Sequence, residues 1–177
     1  MFHRSERLLL RPLWPEDWRA VFKGIADEAI VRNLASAPWP YRPEDAQAFV
    51  ALPAELHFPR LAITLADGGR LIGCIGIDPC GEGGELGYWI ARPHWGRGYG
   101  TEAGRGMREI ARMLGHTRLT ASHFVDNPVS GRVLQKIGFT PTGVMRERTS
   151  RGRGAASMTV DYALDLVADD SVMQRAA

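Results

Sequence analysis

Apolar residues repeat with two different periods along the chain, and each change of period marks a predicted element. Residues 8–10 form a short apolar run that ends before a proline, which is typical of a strand. After Pro15, the apolar residues Trp18, Val21 and Ile25 recur at helical spacing. The chain is therefore predicted to open with a strand and a helix.

The rest of the pattern predicts further helices at residues 27–34, 43–52, 101–114 and 128–137. Further strands are predicted at residues 61–65, 70–77, 85–90, 118–124, 139–148 and 157–167. Early strands joined by a DGG turn predict an antiparallel hairpin, and later strands alternate with helices. We expect a mixed α/β fold, with a central twisted mixed sheet of about six to seven strands flanked by about four helices.

Length and composition are those of one ordinary globular domain. The chain has 177 residues, of which 45% are hydrophobic and 24% charged, so it is long and apolar enough to bury a sizeable core without disulfides. We expect a single domain over residues 1–177, with a core at about 6–167 and a C-terminal tail at 168–177.

Charge and cysteine usage give no support to several classes of partner. A net charge of +2 without a long basic run gives no indication of nucleic acid. Cys74 lies in an apolar run, which fits a reducing cytoplasm, and there is neither a signal peptide nor a membrane-length apolar segment. We expect a soluble cytoplasmic protein with no membrane partner. No cluster has metal-ligand spacing, so no metal is predicted.

A glycine-rich turn is the most informative stretch of the chain. Residues 94–103 read HWGRGYGTEA and lie between a predicted strand and a predicted helix. Glycines allow a tight turn and close approach of a ligand, and the first free N–H groups of a helix bind phosphate. The glycines alone fit either a simple connection or an anion site, but Arg92, His94 and Arg97 nearby favour the anion. The spacing matches neither the dinucleotide fingerprint nor the P-loop.

These residues resemble motif A of the GNAT acetyltransferases, with Gly98 and Gly100 at its two small positions. Trp95 replaces the usual Arg or Gln, and this form is similar to that of the ribosomal-protein N-terminal acetyltransferases of RimJ/RimL type. The runs ERLLLRP at 6–12, ELGYW at 85–89 and the motif B residues from Asn127 to Phe139 resemble the same branch. Four motifs in order span most of the chain.

The resemblance implies acetyl-CoA as the acyl donor. Its pyrophosphate would lie on the glycine turn, and its pantetheine arm would contact Asn127 and the end of the strand at residues 85–90. The implied cofactor-binding residues are Trp89, Ile90, Ala91, Trp95, Gly96, Arg97, Gly98, Tyr99, Gly100, Thr101 and Asn127. In the family, the strand end offers unpaired backbone groups where two strands splay apart. Dimerisation is common in this branch, although nothing in the sequence fixes a homodimer.

Acetyl transfer to an amine needs a base for the amine and a proton donor for the departing thiolate. On an extended strand, Glu85, Gly87 and Trp89 share the face opposite the apolar one, so Glu85 is the predicted base. Many family members use a tyrosine as the acid, and its position here is Leu134. Ser130 lies one turn earlier on the same helix face, and a serine there is similar to the arrangement in the ribosomal-protein branch, which implies that its hydroxyl donates to the sulfur. His123 is a secondary candidate base.

The predicted acceptor contacts are Trp39 and Tyr41 on a proline-rich loop, Tyr88, and a basic hairpin at residues 146–153. The acceptor itself is a primary amine, either a protein N-terminus or a small molecule. Three readings remain at this point: an acetyltransferase, a non-catalytic acyl-CoA sensor, and an α/β domain without affinity for coenzyme A. The structural explanations of Glu85 as a paired strand glutamate and of Ser130 and Asn127 as helix-start residues also stay open.

Overall fold

The computed structural model describes residues 1–81 and 83–167, so the expected tail at 168–177 lies outside the described residues. The strands are β1 (His3–Arg4), β2 (Leu8–Pro12), β3 (Arg60–Leu65), β4 (Leu71–Cys80), β5 (Gly83–Ile90), β6 (Arg118–Phe124), β7 (Thr140–Ser150) and β8 (Ala155–Asp165). The helices are α1 (Trp18–Ile25), α2 (Glu28–Val31), α3 (Pro43–Val50), α4 (Tyr99–Met113) and α5 (Pro128–Ile137).

All eight strands of the described part belong to one sheet, in the order β1-β2-β3-β4-β5-β6-β8-β7. Every neighbouring pair is antiparallel except β5 and β6, which are parallel. The predicted mixed α/β fold is confirmed, with one more strand than expected. The additional strand β1 is a pair of polar residues, too short to produce a hydrophobic period.

Each face of the sheet carries its own core. On one face, α4 and α5 cover the apolar side chains of the central strands, including Ile75 and Leu86. On the other face, α1, α2 and α3 cover a smaller cluster. Trp89 belongs to this second cluster, and its ring lies 3.1 Å from the position of a Cβ on Gly24 of α1. The expectation that the Glu85 face of β5 avoids a dry core is therefore wrong at Trp89, because α1 covers that end of the strand.

The parallel strands β5 and β6 separate soon after they meet. Among the described residues, their ladder holds only the pairs Gly84↔Leu119 and Glu85↔Thr120, although β5 continues to Ile90 and β6 to Phe124. The two strands therefore open as a wedge toward their carboxyl ends, where α4 and α5 begin. Open α/β sheets bind ligands at this kind of position.

Candidate active site

The connection from β5 to α4 forms the glycine-rich turn. Gly96 and Gly98 have φ of +73° and +80°, a backbone region that side chains with a Cβ rarely enter. Helix α4 begins at Tyr99, two residues before the predicted start, and its first intrahelical bond runs from the Glu102 N–H to the Gly98 carbonyl. The N–H groups that precede this bond lie at the positive end of a helix of 15 residues. The turn thus combines close backbone access with an anion-favouring helix end.

Gly100 has a different reason to be glycine. It lies inside the first turn of α4, where a Cβ would come within 3.2 Å of Cε2 of Tyr88 and 3.7 Å of Cγ1 of Val133. The ring of Tyr88 therefore packs under the start of α4. Gly100 allows the helix to approach β5 closely at the mouth of the wedge.

The basic residues around the turn differ in whether they are already paired within the protein. Arg92 pairs with Asp27 at 3.3 Å, whereas Arg97 lies exposed on the turn itself. The pKa of His94 is lowered, first by burial and then by the charges of Arg97 and Arg70. Because the pKa of His94 is lowered, the positive charge on the turn itself comes from Arg97, together with the helix end.

The end of β5 is more fully bonded than expected. The indole Nε1 of Trp95 donates to the Ile90 carbonyl at 2.6 Å, and the Ala91 N–H donates to the Ile72 carbonyl at 2.8 Å. The expectation of unpaired groups is therefore wrong for these two, because a side chain and the neighbouring strand supply partners. The role of Trp89, Ile90 and Ala91 in cofactor binding stays a prediction.

On the other side of the wedge, α5 brings Ser130 to Tyr88. The two hydroxyl oxygens lie 3.2 Å apart, and burial raises the pKa of Tyr88 more than its bond with Ser130 lowers it. Tyr88 thus remains a neutral phenol. Asn127 is the N-cap residue with Pro128 after it, as predicted, but its side chain makes no capping hydrogen bond. Its side-chain amide therefore does not cap the helix.

Glu85 is half-buried and firmly paired. Both carboxylate oxygens accept from Nη1 of Arg148, at 2.7 and 2.9 Å, and Ser122 Oγ donates to one of them at 3.1 Å. Asp161 lies behind Arg148, 3.9 Å from its Nη2, and forms a further ion pair with Arg146. The pair joins β5 to β7 across the two strands that lie between them, β6 and β8.

The basic hairpin is not a free solvated loop. Its turn docks on the segment after α2, where Ser150 Oγ donates to the Leu34 carbonyl at 2.7 Å and Arg153 Nε donates to the Arg32 carbonyl at 2.6 Å. Arg153 also pairs with Asp126 at 2.7 Å. Ser150 and Arg153 thus hold the hairpin against the helical layer.

The remaining predicted residues lie in different environments. Tyr41 is buried in the second core, where desolvation, Asp45 and Cys74 raise its pKa to about 12, whereas Trp39 on the same loop is exposed. His123 contacts the Phe124 carbonyl through Nδ1, at 2.8 Å, and the hydroxyl of Tyr162 through Nε2, at 3.3 Å. Trp39 is therefore the loop aromatic that can meet a ligand without a rearrangement, while Tyr41 supports the loop from beneath.

Metal-binding clusters and membrane-spanning helices are both absent from the described residues. No group of three or more His, Cys, Asp or Glu side chains at residues 1–81 and 83–167 has a geometry suited to a metal ion. Within the same residues, no helix has both the length and the apolar character needed to cross a membrane.

Comparisons with known proteins place this geometry among acetyltransferases. A family model described as "Acetyltransferase (GNAT) domain" matches residues 7–140. The uncharacterized N-acetyltransferase YoaA of Bacillus subtilis (strain 168) is 31% identical over 156 residues, covering 81% of this chain and 85% of YoaA.

Solved structures share the fold. An acetyltransferase of the GNAT family from Bacillus anthracis superposes with a TM-score of 0.82 at 24% identity, covering 94% of this chain and 99% of that one. RimL, a ribosomal L7/L12 alpha-N-protein acetyltransferase solved with coenzyme A, has a TM-score of 0.79 at 21% identity, covering 96% and 100%.

Proposed function

The chain belongs to the GNAT acetyltransferase family, and on that premise we propose that it transfers the acetyl group of acetyl-CoA to a primary amine by direct attack on the thioester. The observation that carries the proposal is the wedge between β5 and β6, with the glycine turn of α4 at one side and Ser130 of α5 at the other. A thioester held in the wedge and a diphosphate held on the turn would belong to one extended ligand.

The turn suits the diphosphate of coenzyme A. Gly96 and Gly98 leave no side chain between the backbone and a ligand, and Arg97 and the start of α4 supply positive potential. In this proposal, the pyrophosphate lies against residues 96–101, and the Asn127 amide meets the pantetheine arm. Trp95 supports the same region by fixing the Ile90 carbonyl.

Ser130 is proposed to serve the departing sulfur. Neutral Tyr88 can donate to the Ser130 oxygen, which leaves the serine proton free to point into the wedge. A hydroxyl that donates to a developing thiolate stabilises the transition state more than the ground state. Loss of this bond should therefore lower turnover more than binding.

Glu85 is proposed to receive the proton that the attacking amine loses. An acceptor that arrives as an ammonium ion is a cation, as is Arg148, so it can replace the guanidinium at the Glu85 carboxylate. Released Arg148 has a second carboxylate within reach, because Asp161 lies 3.9 Å from its Nη2. Glu85 is thus proposed to act after an exchange of cations.

For the acceptor, we propose a protein N-terminus or a small amine that enters past Trp39 and reaches the face of Glu85. The RimL structure supports the first of these classes by fold likeness, and the glycine turn supports the RimJ/RimL-like branch. We also propose that residues 6–167 act as one catalytic unit.

The test is release of free coenzyme A thiol from acetyl-CoA by the purified protein. N-terminal peptides, polyamines and aminoglycosides are offered in turn, each against a control without acceptor and a control without protein. Protein thiols must be subtracted, since Cys80 is partly exposed. Release with one acceptor class would establish both the reaction and its substrate. Tight acetyl-CoA binding with no release from any amine would contradict the enzyme proposal and favour the sensor.

A further inference from the structure

The N-terminal segment holds the start of α4 through one carboxylate. Four donors converge on Glu102 in the first turn of the helix: Ser5 Oγ at 2.7 Å, the Arg7 N–H at 2.8 Å, Arg7 Nε at 2.8 Å and Arg7 Nη2 at 2.6 Å. Two residues before β2 are thereby tied to a helix almost a hundred positions later in the chain.

The same guanidinium also holds the other side of the glycine turn. Arg7 Nη1 donates to the Arg97 carbonyl at 3.0 Å, and its Cζ lies 4.8 Å from the centre of the Tyr99 ring. Arg97 and Tyr99 are the two neighbours of Gly98. One side chain therefore bonds to the backbone before the glycine, packs on the ring of the residue after it and, through Glu102, holds the helix that follows.

This arrangement offsets a weakness of the turn. Glycine is the residue with the greatest backbone freedom, so a turn built on Gly96 and Gly98 loses the most conformational entropy when a ligand orders it. A ligand that meets an already ordered turn binds more tightly, because the entropy cost of ordering the turn does not reduce the free energy of binding. The clamp of Arg7 on Arg97 and Glu102 supplies such order in the free protein.

Three of the five N–H groups of Arg7 are already engaged within the protein. Its Nε and Nη2 are both bonded to Glu102, and its Nη1 is bonded to the Arg97 carbonyl. The charge of the guanidinium is balanced by that of the carboxylate. A cation neutralised in this way contributes geometry more than electrostatic attraction.

We propose that Arg7 is a positioning residue, which with Glu102 and Ser5 holds the glycine turn in its diphosphate-binding conformation before coenzyme A arrives. The inference rests on the proposed function, since it takes the turn as the coenzyme A site. It assigns a role in cofactor affinity to a residue of the N-terminal segment that does not touch the reacting atoms.

The test measures coenzyme A affinity by calorimetry for the wild type, Arg7→Met, Glu102→Gln and the double variant. Each single variant should weaken binding about tenfold, which corresponds to about 1.4 kcal/mol, and the double variant should be no weaker than either, because the clamp acts as a unit. In turnover, KM for acetyl-CoA should rise by the same factor, with kcat within twofold. Arg118→Met is the matched control, since Arg118 forms an exposed pair with Asp165 at 3.7 Å on the far end of β6.

Glu102→Gln separates positioning from direct contact. If Arg7 bound phosphate itself, freeing it from Glu102 would keep or strengthen coenzyme A binding while Arg7→Met weakened it, and the positioning proposal would be overturned. Wild-type affinity in Arg7→Met would overturn it equally. If the wild-type protein bound no coenzyme A, the proposed function would fail together with the clamp. This outcome is distinct from the two above, in which the wild type binds coenzyme A and only a variant behaves differently from expectation.

A second readout guards against simple loss of fold. Hydrogen exchange of the amides at residues 97–100 should accelerate in cofactor-free Arg7→Met, with the exchange of β4 and β5 unchanged. Arg7→Lys keeps the charge but cannot make both bonds at once, so it should recover only part of the affinity. Full recovery by lysine would mean that charge alone is needed, and would contradict the clamp.

Discussion

Replacement of Gly98 by alanine tests the phosphate site with a single methyl group. Gly98 has φ of +80° and immediately precedes α4. Among the described residues, the nearest atom to a Cβ built at this position is Nη2 of Arg7 at 3.6 Å, which is an ordinary contact. The protein therefore has room for the methyl group, and the consequences come from the backbone and from the ligand side.

The backbone cost follows from the left-handed conformation. An L-residue in this region costs about 1–2 kcal/mol relative to glycine. For a chain of 177 residues, each kilocalorie lowers the melting temperature by roughly 2–4 °C. Gly98→Ala should therefore lower it by about 2–8 °C and leave the fold intact. Coenzyme A affinity should fall more steeply, at least tenfold, because the methyl group stands where the diphosphate approaches the amides.

Gly69→Ala is the matched control for this experiment. Gly69 has φ of +66° in the turn between β3 and β4, and a Cβ there meets no atom of the described residues within 4 Å. It carries the same backbone strain at a residue outside the proposed glycine turn. Calorimetric titration with coenzyme A, paired with thermal melting, should show equal destabilisation of the two variants and a loss of affinity at Gly98 alone.

Two results would refute this reasoning. Unchanged coenzyme A affinity in Gly98→Ala would remove the turn from the cofactor site. A comparable loss of affinity in Gly69→Ala would show that general strain, and not the methyl group at the ligand, reduces binding.

Three further measurements follow from the contacts. Ser130→Ala should lower kcat by about ten- to hundredfold with KM for acetyl-CoA within twofold, and equal turnover in steady-state assays would assign the sulfur to another donor. Burial of Asp17 raises its pKa, but hydrogen bonds from Arg11 and the backbone and the Arg11 charge lower it by more. Its folded pKa is thus depressed, so the stability it contributes is present above the unfolded pKa of about 3.9 and is lost as pH falls below it. In urea unfolding, Asp17→Asn should lower the free energy of unfolding by about 3 kcal/mol near pH 7. Its free energy of unfolding should also fall less steeply than that of the wild type as the pH is lowered below about 5. An equally steep fall in both proteins would contradict the assignment. Finally, a thiol reagent should modify partly exposed Cys80 in the native protein, while Cys74, whose pKa is raised by burial, should react only on unfolding.

Local patterns predicted most of the fold. Helix α5 begins and ends at the predicted residues 128 and 137, because Asn-Pro at its start and Gly138 at its end are strong local signals. The hairpin of β3 and β4 follows from its glycine turn in the same way. These features depend on neighbours in the chain, which a sequence displays directly.

The missed features depend on partners far apart in the chain. The pair of Glu85 and Arg148 joins residues 63 positions apart, and neither residue type identifies its partner. Tyr41 reads as a loop aromatic, yet it is buried because α3 and β4 close around it. Arg7 belongs to an apolar strand motif, and only the fold brings its guanidinium to the start of α4. The local sequence pattern predicts the helices and strands, whereas these long-range contacts become visible only once the elements are packed together.

The leucine at position 134 shows how the fold changes the meaning of a sequence motif. Ser130 and Leu134 are one turn apart on α5, and helical spacing places them on nearly the same face. In the structure, Leu134 is 1% exposed in the core beneath α4, whereas Ser130 lies at the edge of the wedge against Tyr88. A tyrosine at 134 would have to displace the core packing to reach a ligand, at a cost of about 1–3 kcal/mol. In this packing, position 134 faces the core, whereas Ser130 brings a hydroxyl group to the edge of the wedge, with the phenol of Tyr88 on β5 beside it.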